Sequence, residues 1–348
     1  MEQEPPKGEI TMRYAIWNNK GGVGKTFLTF ILGAEYAKNN PDKNVILVDM
    51  CPQANLSEII LGGNGKGSAQ LSEILSKGKH RLTSGGYFDN RINSPHKLIG
   101  IEGDYLVNGN TYNNELPKNL WLICGDPSLE IQAQVINQIC AQTLPVEAWR
   151  NVHHWLLDLI QACSLKLENE IRVFIDCNPS FSAYTELAMT AANRLIIPCT
   201  SDGSSARAID NVAALLYGIG MNEQHKPVNF ANKAKNNGIT LPKMHSIVLN
   251  RSTQWDKKAS KAFQAMFGEI KERVLNFKKE ADSTFFSSKL SFKEIPDTHS
   301  VSIVCSHYGM PLYGVTAKKY KVFNTNPQVN SEPLRAYKEK IADFLSIL

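Results

Sequence analysis

Along the chain, short apolar runs rich in β-branched residues alternate with longer stretches in which apolar positions recur every three to four residues. The first pattern predicts strands and the second amphipathic helices. Strands are expected at Met12–Trp17, Val45–Asp49, Leu120–Cys124, Ile171–Asp176, Leu195–Cys199, His245–Asn250 and Leu290–Ile295. Helices are expected at Thr26–Asn39, Leu129–Thr143, Val146–Lys166, Ala183–Ala192, Ser205–Ile219, Lys257–Asn276 and Glu332–Leu348. Several strand runs are apolar at every position, as strands covered by helices on both faces must be. This alternation predicts an α/β fold: a doubly wound, mostly parallel sheet flanked by helices, with residues 1–348 forming a single domain.

Three stretches stand outside that scheme. Residues 1–11 read as an N-terminal extension, and residues 62–117 as a glycine- and asparagine-rich excursion too long for a plain connector. Residues 221–243 form a basic insertion. Charge sharpens this last feature: residues 222–293 hold 14 Lys/Arg against 6 Asp/Glu, while the whole chain is only +5, so the remainder is slightly acidic. Such a segment builds either a basic face or an ordinary solvated surface. The seven cysteines are scattered, never as CxxC, and most lie in apolar runs, which speaks against disulfides and a zinc site. No window approaches a spanning helix and the N-terminus lacks an apolar leader, so a cytoplasmic location is expected.

The densest chemistry is Asn19-Lys20-Gly21-Gly22-Val23-Gly24-Lys25-Thr26, directly after the first strand and opening the first helix. Glycines let the backbone curl with its N–H groups inward, and the helix N-terminus adds positive potential. Lys25 reaches the β/γ-phosphates and the Thr26 hydroxyl ligates Mg²⁺. ATP or GTP binding is the expectation, although asparagine stands at 19 where the usual G-x-x-x-x-G-K-[ST] spacing has its first glycine. The K-G-G-x-G-K-T run instead resembles the deviant Walker A loop of the ParA/MinD family, within the P-loop NTPases. That resemblance implies Mg·ATP as cofactor, held by Gly21, Gly22, Val23, Gly24, Lys25, Thr26 and Phe27. It also implies a second lysine, Lys20, that reaches across an ATP-dependent homodimer to the partner's phosphates.

The resemblance extends along most of the chain. Asp49-Met-Cys51-Pro52-Gln53 is similar to the family's D-x-D-P-Q segment: Asp49 matches the first acid, which supports the Mg²⁺ shell, but Cys51 replaces the acid that orients the attacking water. A thiol with an ordinary pKa of about 8.5 is a poor base, so hydrolysis is expected to be slow or partner-dependent. Asp176-Cys-Asn178-Pro179-Ser180 resembles the Walker B and switch II segment D-x-P-P-S, making Asp176 a metal-site candidate beside Thr26 and Asp49, and Asn178 reads as a turn residue. Val248-Leu249-Asn250-Arg251 resembles the base-recognition strand end, with Asn250 pairing adenine and Arg251 over the ring or on an acid. Ile295-Pro296-Asp297 and the Ser306–Leu312 segment resemble the family's I-P-x and S-x-G-x-P segments, with Pro296 and Asp297 near the base edge.

The remaining candidates are weaker. His153-His154 point about 100° apart on a helix and have no ligand at metal spacing. No cysteine stands in the glycine-rich setting of iron–sulfur relatives. The basic stretch around Trp255, Lys257, Lys258, Lys261, Lys271, Arg273, Lys278 and Lys279 reads equally as a non-specific DNA surface and as a solvated helix. With about eleven residues before the first strand, no helix-turn-helix is expected ahead of the loop. The last helix carries Glu339 and Asp343 and lacks a continuous cationic face, so it is expected to close the sheet rather than touch membrane. The leading expectation is a ParA-like ATPase switch in DNA partition or cargo positioning, with a partner protein that stimulates turnover and an association with the nucleoid. A small-molecule ligase of the same superfamily, or a regulatory protein whose ATP dimer recruits an effector, are the alternatives.

Overall fold

The computed structural model describes residues 8–142, 147–200, 205–252, 254–255, 258–259 and 261–348. Its strands are β1 (Ile10–Ile16), β2 (Asn44–Met50), β3 (Val107–Asn108), β4 (Leu120–Ile123), β5 (Ile171–Cys177), β6 (Arg194–Cys199), β7 (Lys243–Ser252), β8 (Gln254–Trp255), β9 (Lys258–Ala259) and β10 (Phe286–Pro296). Eight of them form one sheet in the order β10-β7-β6-β1-β5-β2-β4-β3, while β8 and β9 pair as a separate antiparallel ribbon. Every pairing in the large sheet is parallel except the two-residue edge strand β3.

The helices cover both faces. They are α1 (Lys25–Asn39), α2 (Asn55–Ile60), α3 (Lys66–Ser76), α4 (Ser84–Asn93), α5 (Gly109–Tyr112), α6 (Leu129–Cys140), α7 (Ala148–His153) and α8 (Trp155–Ser164). After them come α9 (Ala183–Ala191), α10 (Ser205–Tyr217), α11 (Phe230–Asn236), α12 (Lys261–Glu280), α13 (His299–Tyr308) and α14 (Ser331–Leu345). Because side chains alternate along a strand, each central strand feeds two cores. Tyr14, Ile16, Val45 and Leu47 pack on the side of α1 and α14, and Ala15, Trp17, Ile46 and Val48 on the side of α8 and α9. Phe174 sits in the first core, fully buried and stacked on Tyr14 at 5.4 Å. Truncating it to alanine would cost about 3–5 kcal/mol.

The doubly wound sheet agrees with the sequence pattern, and four details differ. The helix expected over Val146–Lys166 is two helices broken at His154, with its first residue outside the described ones. The break lets His153 stack on Trp149 and meet Glu186 at 3.0 Å, while the Trp155 indole donates to the Pro95 carbonyl at 2.9 Å. The helix expected over Lys257–Asn276 begins at Lys261, after the β8–β9 ribbon. The 62–117 excursion is folded, carrying α3, α4, β3 and α5, and the 221–243 insertion carries α11. In α4, glycine serves close packing: a side chain at Gly85 would collide with Asp126 and Ser128, and one at Gly86 with the Arg81 backbone. Thr83 caps that helix by accepting the Gly86 N–H at 3.0 Å. The last helix closes the sheet as expected, burying Leu334, Tyr337, Ile341 and Phe344. Among the described residues no helix is long and apolar enough to cross a membrane.

Candidate functional site

Strand β1 delivers the chain into the glycine-rich loop at the centre of the sheet. Gly22 and Gly24 adopt positive φ of 74° and 84°, conformations that cost an L-side chain and that curl the loop back on itself. Gly24 is the N-cap of α1 and supplies no side-chain cap, so the first amides of α1 stay open to an anion. Asn18 braces the loop, donating to the Pro198 carbonyl at 2.8 Å and accepting the Lys20 N–H at 3.0 Å. The Lys25 ammonium is buried and donates to the loop's own carbonyls, Asn18 at 3.0 Å and Lys20 at 2.8 Å. Burial lowers its pKa, and the nearby Asp176 carboxylate works against that.

A cavity of about 520 Å³ opens in front of this loop, a size suited to a nucleotide. Gly21, Gly22, Gly24, Lys25, Thr26 and Phe27 form one wall. Cys51, Gln53, Asn55 and Glu58 form a second, Cys177, Asn178 and Pro179 a third, and Asn64 with Ser306 the far end. The Lys20 side chain lies elsewhere: its ammonium donates to Thr200 Oγ1 at 3.0 Å, at the end of β6.

Beneath the cavity, Asp49 and Asp176 face each other in register on β2 and β5, both fully buried. Asp49 is occupied. One of its oxygens accepts the Cys51 N–H at 3.0 Å, and the other accepts the Ser57 N–H at 2.9 Å and the Ser57 hydroxyl at 2.8 Å. Ser57 in turn accepts the Gly125 N–H at 2.8 Å, so Asp49 latches the loop after β2 to the end of β4. Neither oxygen of Asp176 accepts a hydrogen bond of good geometry, although the Thr26 and Thr29 hydroxyls lie close by. Burial, then the charge of Asp49, raises the Asp176 pKa, while Thr26, Lys25 and Thr29 hold it back. Burial likewise raises Asp49, which the Ser57 contacts oppose. Two poorly satisfied carboxylate oxygens near the Thr26 hydroxyl would suit a divalent cation, since a buried acid is costly until a positive charge meets it.

Cys51 lines the cavity, and burial followed by the charges of Asp49 and Asp176 pushes its pKa up to about 12, which leaves a neutral thiol at pH 7. The following turn is tight, with Ala54 at φ 51° capping α2. Asn178 behaves as the turn residue expected of it: its side-chain oxygen accepts the Ser180 N–H at 3.1 Å, and its carbonyl accepts the Trp17 indole N–H at 3.0 Å.

The residues expected on the base side lie apart from this cavity's lining. Asn250 is buried and its amide donates to the Val23 carbonyl at 2.9 Å, which ties the end of β7 to the loop. Asn250, Pro296 and Asp297 do not line the cavity, Pro296 being buried and Asp297 exposed. The Arg251 side chain lies outside the described residues. Val23 is buried and contributes only backbone. Sequence reasoning gave no role to Ser57, Asn18, Thr200, Glu58 or Ser306. Ser57 and Asn18 adjoin the motifs and were visible as polar residues beside them. Ser306 and Asn64 reach the cavity only because α13 packs on the α2–α3 corner, where the Asn64 N–H donates to the Ser306 carbonyl at 3.3 Å.

Elsewhere, the basic segment is partly neutralised: Arg273 pairs with Asp210 and with Glu269, and the Lys271 ammonium lies 4.5 Å from the Phe267 ring centre. Lys278 and Lys279 are exposed, whereas the side chains of Trp255, Lys258 and Lys261, and Lys257 entirely, fall outside the described residues. Among the described residues no group of His, Cys, Asp and Glu forms a metal cluster.

A parallel sheet whose central strand runs through a glycine-rich lysine loop into a helix, over two in-register aspartates, defines a P-loop nucleotide-binding protein. The chain belongs to the CobQ/CobB/MinD/ParA nucleotide-binding domain family, a family of P-loop ATPases, whose model matches residues 14–284. The fold resembles that of apo McdA from Cyanothece at 14% identity, covering 96% of this chain and 99% of that one with a TM-score of 0.58. A putative plasmid partition protein from Borrelia burgdorferi, solved with AMPPNP, is 17% identical over 99% of this chain and 100% of that one, at a TM-score of 0.51. Cobyrinic acid a,c-diamide synthase from Mycobacterium smegmatis, solved with ADP and magnesium, is 14% identical over 97% and 94%, also at 0.51. No curated protein matches the chain.

Proposed function

We propose that this protein is an ATP-dependent dimerising switch of the ParA kind, acting in the cytoplasm on DNA partition or cargo positioning. The observation that carries the reading is the division of labour between two lysines: Lys25 lines the cavity, while the Lys20 ammonium docks on Thr200 at the loop's outer side. One cation serves the chain's own nucleotide, and the second exchanges Thr200 for phosphate of a facing copy. ATP enters the cavity with its phosphates on the open amides of α1. Thr26 and Asp176 hold Mg²⁺, which neutralises the triphosphate, and Asp49 keeps the loop after β2 in place beside it.

Turnover is slow in this reading, because the neutral thiol of Cys51 cannot take a proton from water at pH 7. Phosphate release by the purified protein tests this: Cys51→Asp should raise the rate by about 10–100-fold, within the range of general-base catalysis. Fast turnover by the wild-type chain alone, or no gain in the variant, contradicts it. DNA and a stimulating protein are the partners this reading implies. Its DNA surface draws on the exposed lysines at the end of α12, and ATP-dependent, salt-sensitive retention of duplex DNA is the expected signature. A second reading, a ligase acting on a small acid, draws support from the polar lining that Glu58, Asn64 and Ser306 add to the cavity beside the phosphate loop. ATP-dependent phosphorylation of a small carboxylate would favour it.

A further inference from the structure

Between α13 and α14, residues 318–329 fold into a β-hairpin that the nucleotide cavity does not use. Val322 and Thr325 exchange both backbone hydrogen bonds at 2.9 Å, and the Tyr320 N–H donates to the Pro327 carbonyl at 3.1 Å, so Phe323 and Asn324 form a two-residue turn. The same register pairs Lys319 with Gln328 and sets Lys321 opposite Asn326. Residues two apart on a strand share a face, and so do residues directly opposite each other on paired strands. Tyr320, Val322 and Val329 are buried against the body, whereas Lys319, Lys321, Asn326 and Gln328 are exposed. One face of the hairpin is therefore packed, and the other carries both lysines in the open.

The tip departs from two rules at once. Phe323 has φ 50°, where such turns favour Gly, Asn or Asp, and its side chain is 67% exposed. A solvated turn would need neither feature, since asparagine at this position removes the strain and the exposed ring together. The Phe323 ring meets His307 edge-on at 4.7 Å, and His307 meets Tyr308 at 4.8 Å, so three aromatic rings run along the flank of the hairpin. The Tyr308 hydroxyl donates to the Lys321 carbonyl and fixes that strand beside the rings. Residues 298–331 contain no Asp or Glu, and among the described residues neither Lys319 nor Lys321 is in an ion pair.

Each of these groups matches one part of an unpaired polynucleotide: lysines its phosphates, the Asn324 and Asn326 amides its base edges, and an exposed ring the flat face of a base. The ring decides among anionic partners. A duplex keeps its base faces stacked and offers Phe323 none of them unless a step is forced open. A lipid surface would strip water from the two asparagines without replacing it, and protein interfaces are poor in lysine. We infer that the open face of this hairpin binds single-stranded nucleic acid, with a base stacked on Phe323 and phosphates on Lys319 and Lys321. This surface is separate from the nucleotide cavity and from the duplex surface proposed on α12, and it requires neither ATP nor pairing of two chains.

The test is fluorescence anisotropy of labelled oligothymidylate and oligouridylate, each about 12 nucleotides long, titrated with the full chain without nucleotide at low salt. Wild type should bind a single strand, and the tighter of the two identifies the sugar it prefers. Phe323→Asn keeps a residue the turn accepts and should bind about 5–150-fold more weakly, the scale of one lost base stack. Lys319→Gln/Lys321→Gln should also weaken binding and flatten its log–log salt dependence by about 1.4, at roughly 0.7 for each phosphate contact on a single strand. Thermal unfolding checks that both variants are folded, and Lys278→Gln/Lys279→Gln should bind single strands as wild type does. Equal binding by wild type and Phe323→Asn, or no binding of either single strand below millimolar protein, overturns the assignment. So does a duplex of the same length whose binding falls as much in Phe323→Asn, or capture by anionic phospholipid vesicles that is lost in that variant while neither single strand is bound.

Discussion

Asp49 and Asp176 occupy the same row of the sheet, one strand apart, and both are fully buried, yet their surroundings are opposite. Asp49 accepts three hydrogen bonds and ties the loop after β2 to the rest of the fold. Asp176 accepts none of comparable geometry, with only the Thr26 and Thr29 hydroxyls of the helix that starts at Lys25 close by. The first carboxylate is spent on structure and the second is held in reserve at an energetic cost. The proposed cation site rests on that contrast, and the residue types alone do not make it.

That contrast can be broken from either side. Asp176→Asn should have the largest effect: Mg²⁺-dependent nucleotide binding, read by calorimetry, should weaken at least about 100-fold, the scale on which loss of one buried charged partner acts. The same variant should be more stable than wild type without nucleotide by about 1–3 kcal/mol, because an unpaired buried carboxylate is removed. A less stable nucleotide-free variant would show that Asp176 is a structural acid like Asp49. Asp49→Asn should lose about 2–3 kcal/mol of stability in chemical denaturation, since its new amide nitrogen faces donors. Ser57→Ala should lose about 1–2 kcal/mol, leaving the Gly125 N–H without its acceptor.

The smallest effect is the pH response. Both carboxylates have pKa values raised in the folded protein by burial, so between the ordinary carboxylate range near 4 and the raised values the folded state holds more protons than the unfolded one. This pair therefore adds stability at low pH that fades as pH rises through that window, by up to about 1.4 kcal/mol per unit for each group that titrates. Under the proposed function cation binding runs the other way, because a Mg²⁺ held by Asp176 would need that acid ionised. Thermal unfolding of the Mg·nucleotide complex should accordingly gain on that of the nucleotide-free protein from pH 6 to pH 8, and the gain should vanish in Asp176→Asn.

Much of the fold was legible because burial on both faces writes strands as continuous apolar runs. Val45–Asp49 and Ile171–Asp176 were located to within a residue at each end of the observed strands. The 62–117 stretch was not legible, because Gly85 and Gly86 look like breakers and act as packing contacts inside a capped helix. Likewise β3, two residues long, carries no period. At the site, the loop from Lys20 to Thr26 was readable as local chemistry, and Asp49, Cys51 and Asp176 as the ends of apolar strands. Asn250 is legible as a strand end, but its bond to the Val23 carbonyl is not, since the direction of its amide depends on how β7 packs against the loop. Thr200 as the seat of Lys20 arises from strands that are neighbours only in space.

The role of Lys20 decides the account. In sedimentation velocity, the wild-type chain should be monomeric alone and dimeric with Mg²⁺ and a slowly hydrolysed ATP analogue, while Lys20→Ala should still bind the analogue and stay monomeric. Equal pairing of both chains, or a wild type that takes up the analogue and never pairs, would contradict it.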